Sequence, residues 1–197
     1  MSAATTHLLY LHGFRSAPQS TKARYVAAWM QTHRPDVHWW CPQLPPSPRE
    51  AMAMIADGTA QWPASGSAVI GSSLGGYYAT ALAEARSGWR AVMLNPAVEA
   101  ARDLARYVGE ITAWHSDERF EFRAEFIDEL KAMSPPALTH LSRYYALIAK
   151  GDEVLSWEEM SARYRGCRIE LLEGSDHAIS DFATHWPPIV DFLGLYQ

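Results

Sequence analysis

Short apolar runs alternate with longer amphipathic stretches along the chain. HLLYLH (residues 7–12), Val37 to Cys41, Ser67 to Gly71, Arg90 to Leu94, YYALIA (residues 144–149) and Arg168 to Leu172 read as six strands. Between them, Thr21 to Gln31 reads as a helix with Tyr25, Ala28 and Trp29 on one side. Arg49 to Trp62, the alanine-rich Leu74 to Arg86, Leu155 to Arg165 and Asp181 to Leu193 read as further helices. Strands that alternate with helices and have compact apolar cores predict an α/β fold. Its central sheet is mostly parallel and is covered by helices on both faces.

One region breaks the rhythm. About fifty residues separate the fourth strand from the fifth. Within them Phe122, Phe126, Leu130 and Met133 recur at helical spacing among charged neighbours, which predicts an amphipathic helix. This helical insertion, about 99–136, reads either as one more covering helix or as a small lid over a site at the strand C-termini. Trp114, Phe120 and Phe122 are candidates for lining an acyl pocket as well as for packing. Trp29, Trp62, Trp89 and Trp157 fall in or beside covering helices and read as packing residues.

The length of 197 residues is that of one domain, residues 1–197, with a sizeable core. A 48% hydrophobic and 20% charged composition argues against disorder. The net charge of −5 leaves no basic footprint for a nucleic acid. Cys41 and Cys167 are far apart and form no C-x-x-C, so neither a redox pair nor a cysteine-rich zinc site is indicated. MSAATTHLLYLHG lacks the basic start and long apolar core of a signal peptide. No apolar run approaches the roughly 20 residues that cross a bilayer. A cytoplasmic address is the expectation, and the oligomeric state is not legible.

The candidate chemistry begins at GSSLGGYYAT (residues 71–80), placed between a strand and a helix. Only one register gives G-x-S-x-G, and it centres on Ser73 with Gly71 and Gly75 at the flanks. In a strand–turn–helix context this pattern makes a nucleophile elbow. The turn strains the central residue, the small flanks avoid collision, and the hydroxyl stands clear at a helix N-terminus. The competing interpretation is a glycine-rich turn whose serine merely caps the helix. The phosphate-binding alternatives are weak, since neither G-x-x-x-x-G-K-[ST] nor G-x-G-x-x-G is present.

A serine hydroxyl needs a base, and the base an orienting acid. His177, in EGSDHAISDF, follows the sixth strand directly. His115 lies in the insertion, His140 precedes a strand, and His185 lies inside a helical pattern. In KGDEVL, Asp152 lies just past the fifth strand, with the adjacent Glu153 as its rival. The oxyanion donors are expected to be the backbone N–H groups of Leu74, after the nucleophile, and Phe14, at the end of LHGF in the loop after the first strand. His12 reads as a residue that shapes this loop by bonding to nearby backbone.

YLHGFRSAP, CPQLPPSP, GSSLGGYYAT, LNPAV, KGDEVL, EGSDHA and PIVDFLGL together resemble the YqiA-like esterases, a small α/β-hydrolase group, from about Leu8 to Leu195. The resemblance implies a compact α/β-hydrolase fold and hydrolysis of small-molecule carboxylic esters, acyl thioesters included. It places the family's nucleophile on Ser73, its acid on Asp152, its histidine on His177 and its oxyanion loop on His12-Gly13-Phe14. Three classes follow. The first is a serine esterase needing no metal or organic cofactor. The second is a thioesterase or acyltransferase using the same residues. The third is a non-catalytic member of the fold that binds a ligand or protein.

Overall fold

The structure is a computed structural model that describes residues 4–112, 119–134 and 137–196. Six strands form the main sheet: β1 (His7–Leu11), β2 (His38–Trp40), β3 (Ser67–Ser72), β4 (Arg90–Leu94), β7 (Tyr144–Ala149) and β8 (Arg168–Leu172). Their spatial order is β2-β1-β3-β4-β7-β8, and every pairing is parallel. The chain therefore starts in the middle, steps out to β2, and returns past β1 to build the other half. Such a reversal opens a crevice at the strand C-termini, between β1 and β3.

Strand side chains alternate between two apolar layers, as the two-residue period of a strand requires. Leu8, Tyr10, Ala68, Ile70, Val92, Leu94, Tyr145 and Leu147 face α1 (Thr21–His33) and α7 (Phe182–Leu193). Leu9, Leu11, Val69, Ala91, Met93, Tyr144, Ala146 and Ile148 face α2 (Pro48–Gly58), α3 (Leu74–Ala85), α5 (Glu125–Met133) and α6 (Trp157–Arg163). Both faces are thus covered over β1, β3, β4 and β7, while the edge strands β2 and β8 are partly exposed. The buried stripe of α1 is Ala23, Val26 and Met30. Tyr25 and Trp29 are only half-buried beside it and Ala28 is exposed, so the face expected from the sequence is rotated. α2 stops at Gly58, short of the expected Trp62. Trp62 instead stacks on the buried Trp89, with ring centroids 5.6 Å apart.

The insertion is only partly helical. A short α4 (Ala100–Leu104) leads into an antiparallel hairpin, β5 (Gly109–Thr112) and β6 (Arg119–Phe122), before α5. Phe122, expected on the helix, ends β6 instead. α5 packs as a covering helix. Phe126 and Leu130 are buried, Tyr77 Oη donates to the Leu130 carbonyl at 2.7 Å, and Glu129 accepts from the Arg49 amide at 3.0 Å, where α2 begins. A carboxylate at a helix N-terminus is electrostatically favoured. Among the described residues, no helix is long and apolar enough to cross a membrane.

Candidate active site

The strand register decides where the loops emerge. Leu11 pairs with Gly71, Ser72 with Leu94, Leu94 with Leu147, and Ala149 with Leu172. The C-terminal ends of β1, β3, β4, β7 and β8 are therefore level. Gly13-Phe14, Ser73, Asn95, Asp152 and His177 all leave the sheet along one edge.

Ser73 sits between β3 and α3 with φ 55° and ψ −121°. A non-glycine residue there is strained by about 1–3 kcal/mol and must be held by its surroundings. The flanking glycines are sterically required. A Cβ on Gly71 would lie 2.2 Å from the Gly75 carbonyl oxygen, and one on Gly75 would lie 2.0 Å from the Leu11 carbonyl oxygen. Ser73 Oγ makes no capping bond to α3. It lies 3.1 Å from His177 Nε2. The capping interpretation of this serine therefore has no hydrogen bond behind it.

His177 Nδ1 lies 2.7 Å from Asp152 Oδ2. The other Asp152 oxygen accepts from the amides of Val154 and Leu155, each at 2.8 Å. The Asp152 side chain is fully buried, whereas the His177 ring is 21% exposed toward the cavity. With the carboxylate ionised, Nδ1 carries the ring proton, and Nε2 presents its lone pair to the serine hydroxyl. Glu153, the rival acid, does not reach the ring. Its carboxylate accepts from the His177 backbone N–H at 3.0 Å. The loop is bracketed by left-handed backbone at Ser175 (φ 64°) and Ile179 (φ 49°), the latter costly for a β-branched residue. Of the other histidines, His140 precedes β7, His185 lies in α7, and His115 and Trp114 fall outside the described residues.

Gly13 backs directly onto the elbow: a Cβ there would sit 3.1 Å from Ser73 Cβ. Phe14, the next residue, lines the cavity beside Ser73, as does Leu74, which opens α3, where helix N–H groups lack an intrahelical acceptor. The buried His12 fixes the loop. Its Nε2 accepts from the Leu44 amide at 3.1 Å, so Nδ1 holds the proton and donates to the Gly13 carbonyl at 3.0 Å. The Phe14 ring packs 5.0 Å from Phe122 and 5.4 Å from Tyr107, and Arg15 Nε donates to the Thr112 carbonyl at 2.6 Å. The hairpin of the insertion thus grips the loop after β1.

A cavity of about 640 Å³ opens over Ser73 and His177. Leu104, Tyr107 and Phe14 line it, as do Lys22, Tyr25 and Phe182. Phe120 and Phe122 do not line it; they lie behind Phe14, 6.4 and 5.0 Å from its ring. Nothing in the sequence pattern flagged Lys22 or Tyr107. The half-buried Lys22 ammonium donates to the Ala178 carbonyl. Burial lowers its pKa to about 8, against the opposing pull of Asp176 and Asp152.

Residues 7–194 match the family described as an uncharacterised protein family (UPF0227). The chain belongs to it. This is the YqiA-like family anticipated from the motifs. Among solved structures, the chain is similar to alpha/beta hydrolase domain-containing protein 10 from mouse, at 15% identity and a TM-score of 0.72, covering 98% of this chain and 92% of that one. It is also similar to a structure from work on LipS and LipT, two metagenome-derived lipolytic enzymes, at 18% identity and a TM-score of 0.70, covering 99% and 96%. A third is Est1E from Butyrivibrio proteoclasticus with ferulic acid bound, at 13% identity and a TM-score of 0.66, covering 98% and 88%. The UPF0227 chain described here thus has the α/β-hydrolase fold.

Proposed function

We propose that this protein is a serine hydrolase of small-molecule carboxylic esters, working through Ser73, His177 and Asp152 and an acyl-enzyme intermediate. The observation that carries this reading is the chain of short contacts from Ser73 Oγ to His177 Nε2 (3.1 Å) and from His177 Nδ1 to Asp152 Oδ2 (2.7 Å) beneath an open cavity. The α/β-hydrolase fold supports it by analogy.

In the first half-reaction Ser73 Oγ attacks the ester carbonyl carbon while its proton passes to His177 Nε2. The carbonyl oxygen gains the negative charge and is met by the Phe14 and Leu74 amides. Each such donor is worth about 10²–10³-fold in rate. The buried Asp152 stabilises the imidazolium that forms. As the tetrahedral species collapses, Nε2 returns its proton to the leaving alkoxide oxygen, and the acyl group stays on Ser73. A water then enters, gives its proton to Nε2 and attacks the same carbonyl, which releases the acid and restores the hydroxyl.

The test is covalent labelling by a fluorophosphonate, together with hydrolysis of a short-chain nitrophenyl ester, in the wild type and Ser73→Ala. Both signals are expected to vanish in the variant. Labelling that survives Ser73→Ala overturns the assignment. The same proton transfers serve a thioester, and turnover on matched acyl ester and acyl thioester substrates ranks the two.

A further inference from the structure

Asn95 follows β4 immediately. It is fully buried and holds φ 42°, a left-handed conformation that asparagine tolerates better than most side chains. Its side-chain amide is fully engaged. Oδ1 accepts from the Ala149 amide at 2.7 Å, and Nδ2 donates to the carbonyls of Asp176 (3.0 Å) and His177 (3.1 Å). Ala149 is the last residue of β7 and begins the turn that delivers Asp152, whose own N–H donates to the Ala149 carbonyl at 3.2 Å. One planar group therefore touches the backbone on both sides of the Asp152–His177 hydrogen bond.

The backbone around Asn95 is tied just as closely to the nucleophile. The Ser73 amide donates to the Leu94 carbonyl, and the Ala97 amide donates to the Ser73 carbonyl, each at 3.0 Å. The Asn95 amide donates to the Leu147 carbonyl, also at 3.0 Å. The peptide units flanking the His177 side chain are held from two directions: its N–H by Glu153, its carbonyl by Asn95. With the backbone fixed, only the two side-chain torsions of His177 remain to be set by Asp152.

We infer that Asn95 is a positioning residue for the proposed reaction: its buried amide fixes the His177 loop against the strand end that carries Asp152, and so sets the imidazole's aim at Ser73. This rests on the serine-hydrolase reading above. Asparagine suits the task because it offers one acceptor and two donors in a plane, which matches one amide and two carbonyls. The left-handed backbone aims that plane across the sheet edge.

Two substitutions separate this role from bulk stability. Asn95→Gly keeps the left-handed backbone and removes the amide. Asn95→Asp keeps the acceptor toward Ala149 and removes both donors. In each, kcat on a nitrophenyl ester is expected to fall about 10²-fold, the scale of an angström-sized misplacement. KM is expected to stay within about twofold. In a His177→Ala background the same substitutions should change the residual rate by no more than about twofold, because the group they position is gone. Equal losses in both backgrounds, or a change confined to KM, would overturn the inference. Proton NMR supplies a readout free of turnover. The Asp152–His177 bridging proton should broaden or vanish in Asn95→Gly while the thermal unfolding transition remains cooperative, and an unchanged resonance speaks against the role. If the wild type hydrolyses no ester, the serine-hydrolase reading fails, and the resonance still decides whether Asn95 sets the His177 geometry.

Discussion

Replacing Gly75 by alanine adds one methyl group where α3 packs directly on the end of β1. Its carbon would lie 2.0 Å from the Leu11 carbonyl oxygen, 2.5 Å from the Leu11 carbonyl carbon and 2.7 Å from the His12 carbonyl oxygen. All three are backbone atoms, so no side-chain rotation relieves the clash. To reach ordinary contact, β1 and α3 must separate by about 1.4 Å at that point. β1 is clamped between β2 and β3 and cannot slide away cheaply, so the expected loss of stability is about 1–3 kcal/mol, the usual range for overpacking. The displaced segment runs straight into Gly13 and Phe14. That loop carries the proposed oxyanion donor, so it moves with the segment, and kcat should fall about 10²-fold even in the fraction that stays folded. The assay is urea denaturation paired with ester turnover, normalised to the fluorophosphonate-reactive population. Wild-type denaturation midpoint and wild-type kcat together would refute the steric argument. A lower midpoint with unchanged kcat would sever the link between the elbow and the oxyanion loop.

Other outcomes follow from the same geometry. Asp152→Asn should lower kcat by about 10³–10⁴-fold by disturbing the ring tautomer, whereas Glu153→Gln, which bonds only the His177 backbone, should cost about tenfold; the reverse ranking would make Glu153 the acid. Tyr77→Phe should destabilise by about 1–2 kcal/mol, measured by chemical denaturation, because the Leu130 carbonyl loses its buried partner. For Lys22, burial lowers the folded pKa to about 8 from an ordinary 10.5, so between those values the unfolded chain binds the extra proton and stability rises with pH. The urea midpoint of the wild type relative to Lys22→Met should therefore climb from pH 7.5 to pH 9.5; parallel behaviour of the two proteins would contradict it.

The four inner strands were legible because β1, β3, β4 and β7 each carry a compact apolar run, the mark of a strand buried on both faces, whereas the edge strands β2 and β8 are partly exposed and were placed by the alternation with helices. The meeting of the Ser73, His177 and Asp152 side chains was legible for a related reason. A parallel sheet sends every strand's C-terminal loop to one edge, so a serine, an aspartate and a histidine placed just after three strands converge whatever their separation in sequence. The insertion was read less well. GEIT and RFEF are four-residue strands whose alternation is too short to compete with the helical spacing of Phe126, Leu130 and Met133, and Phe122 fits both periods. Which of two adjacent acids meets the imidazole depends on turn geometry, here the two amides of Val154 and Leu155 that anchor Asp152. Asn95 carried no signal beyond the Asn-Pro that ends a strand, because its bonds join segments more than fifty positions away.

Phe14 lodges its ring among Tyr107, Phe120 and Phe122 and directly follows Gly13, which packs against Ser73. Under the proposed mechanism the same residue both lines the cavity and supplies an oxyanion donor. Transplanting a foreign segment in place of residues 99–136 to alter substrate range would withdraw the aromatic socket that seats this ring. On that proposal selectivity and turnover are mechanically geared together, and any redesign of the one must rebuild a support for the other.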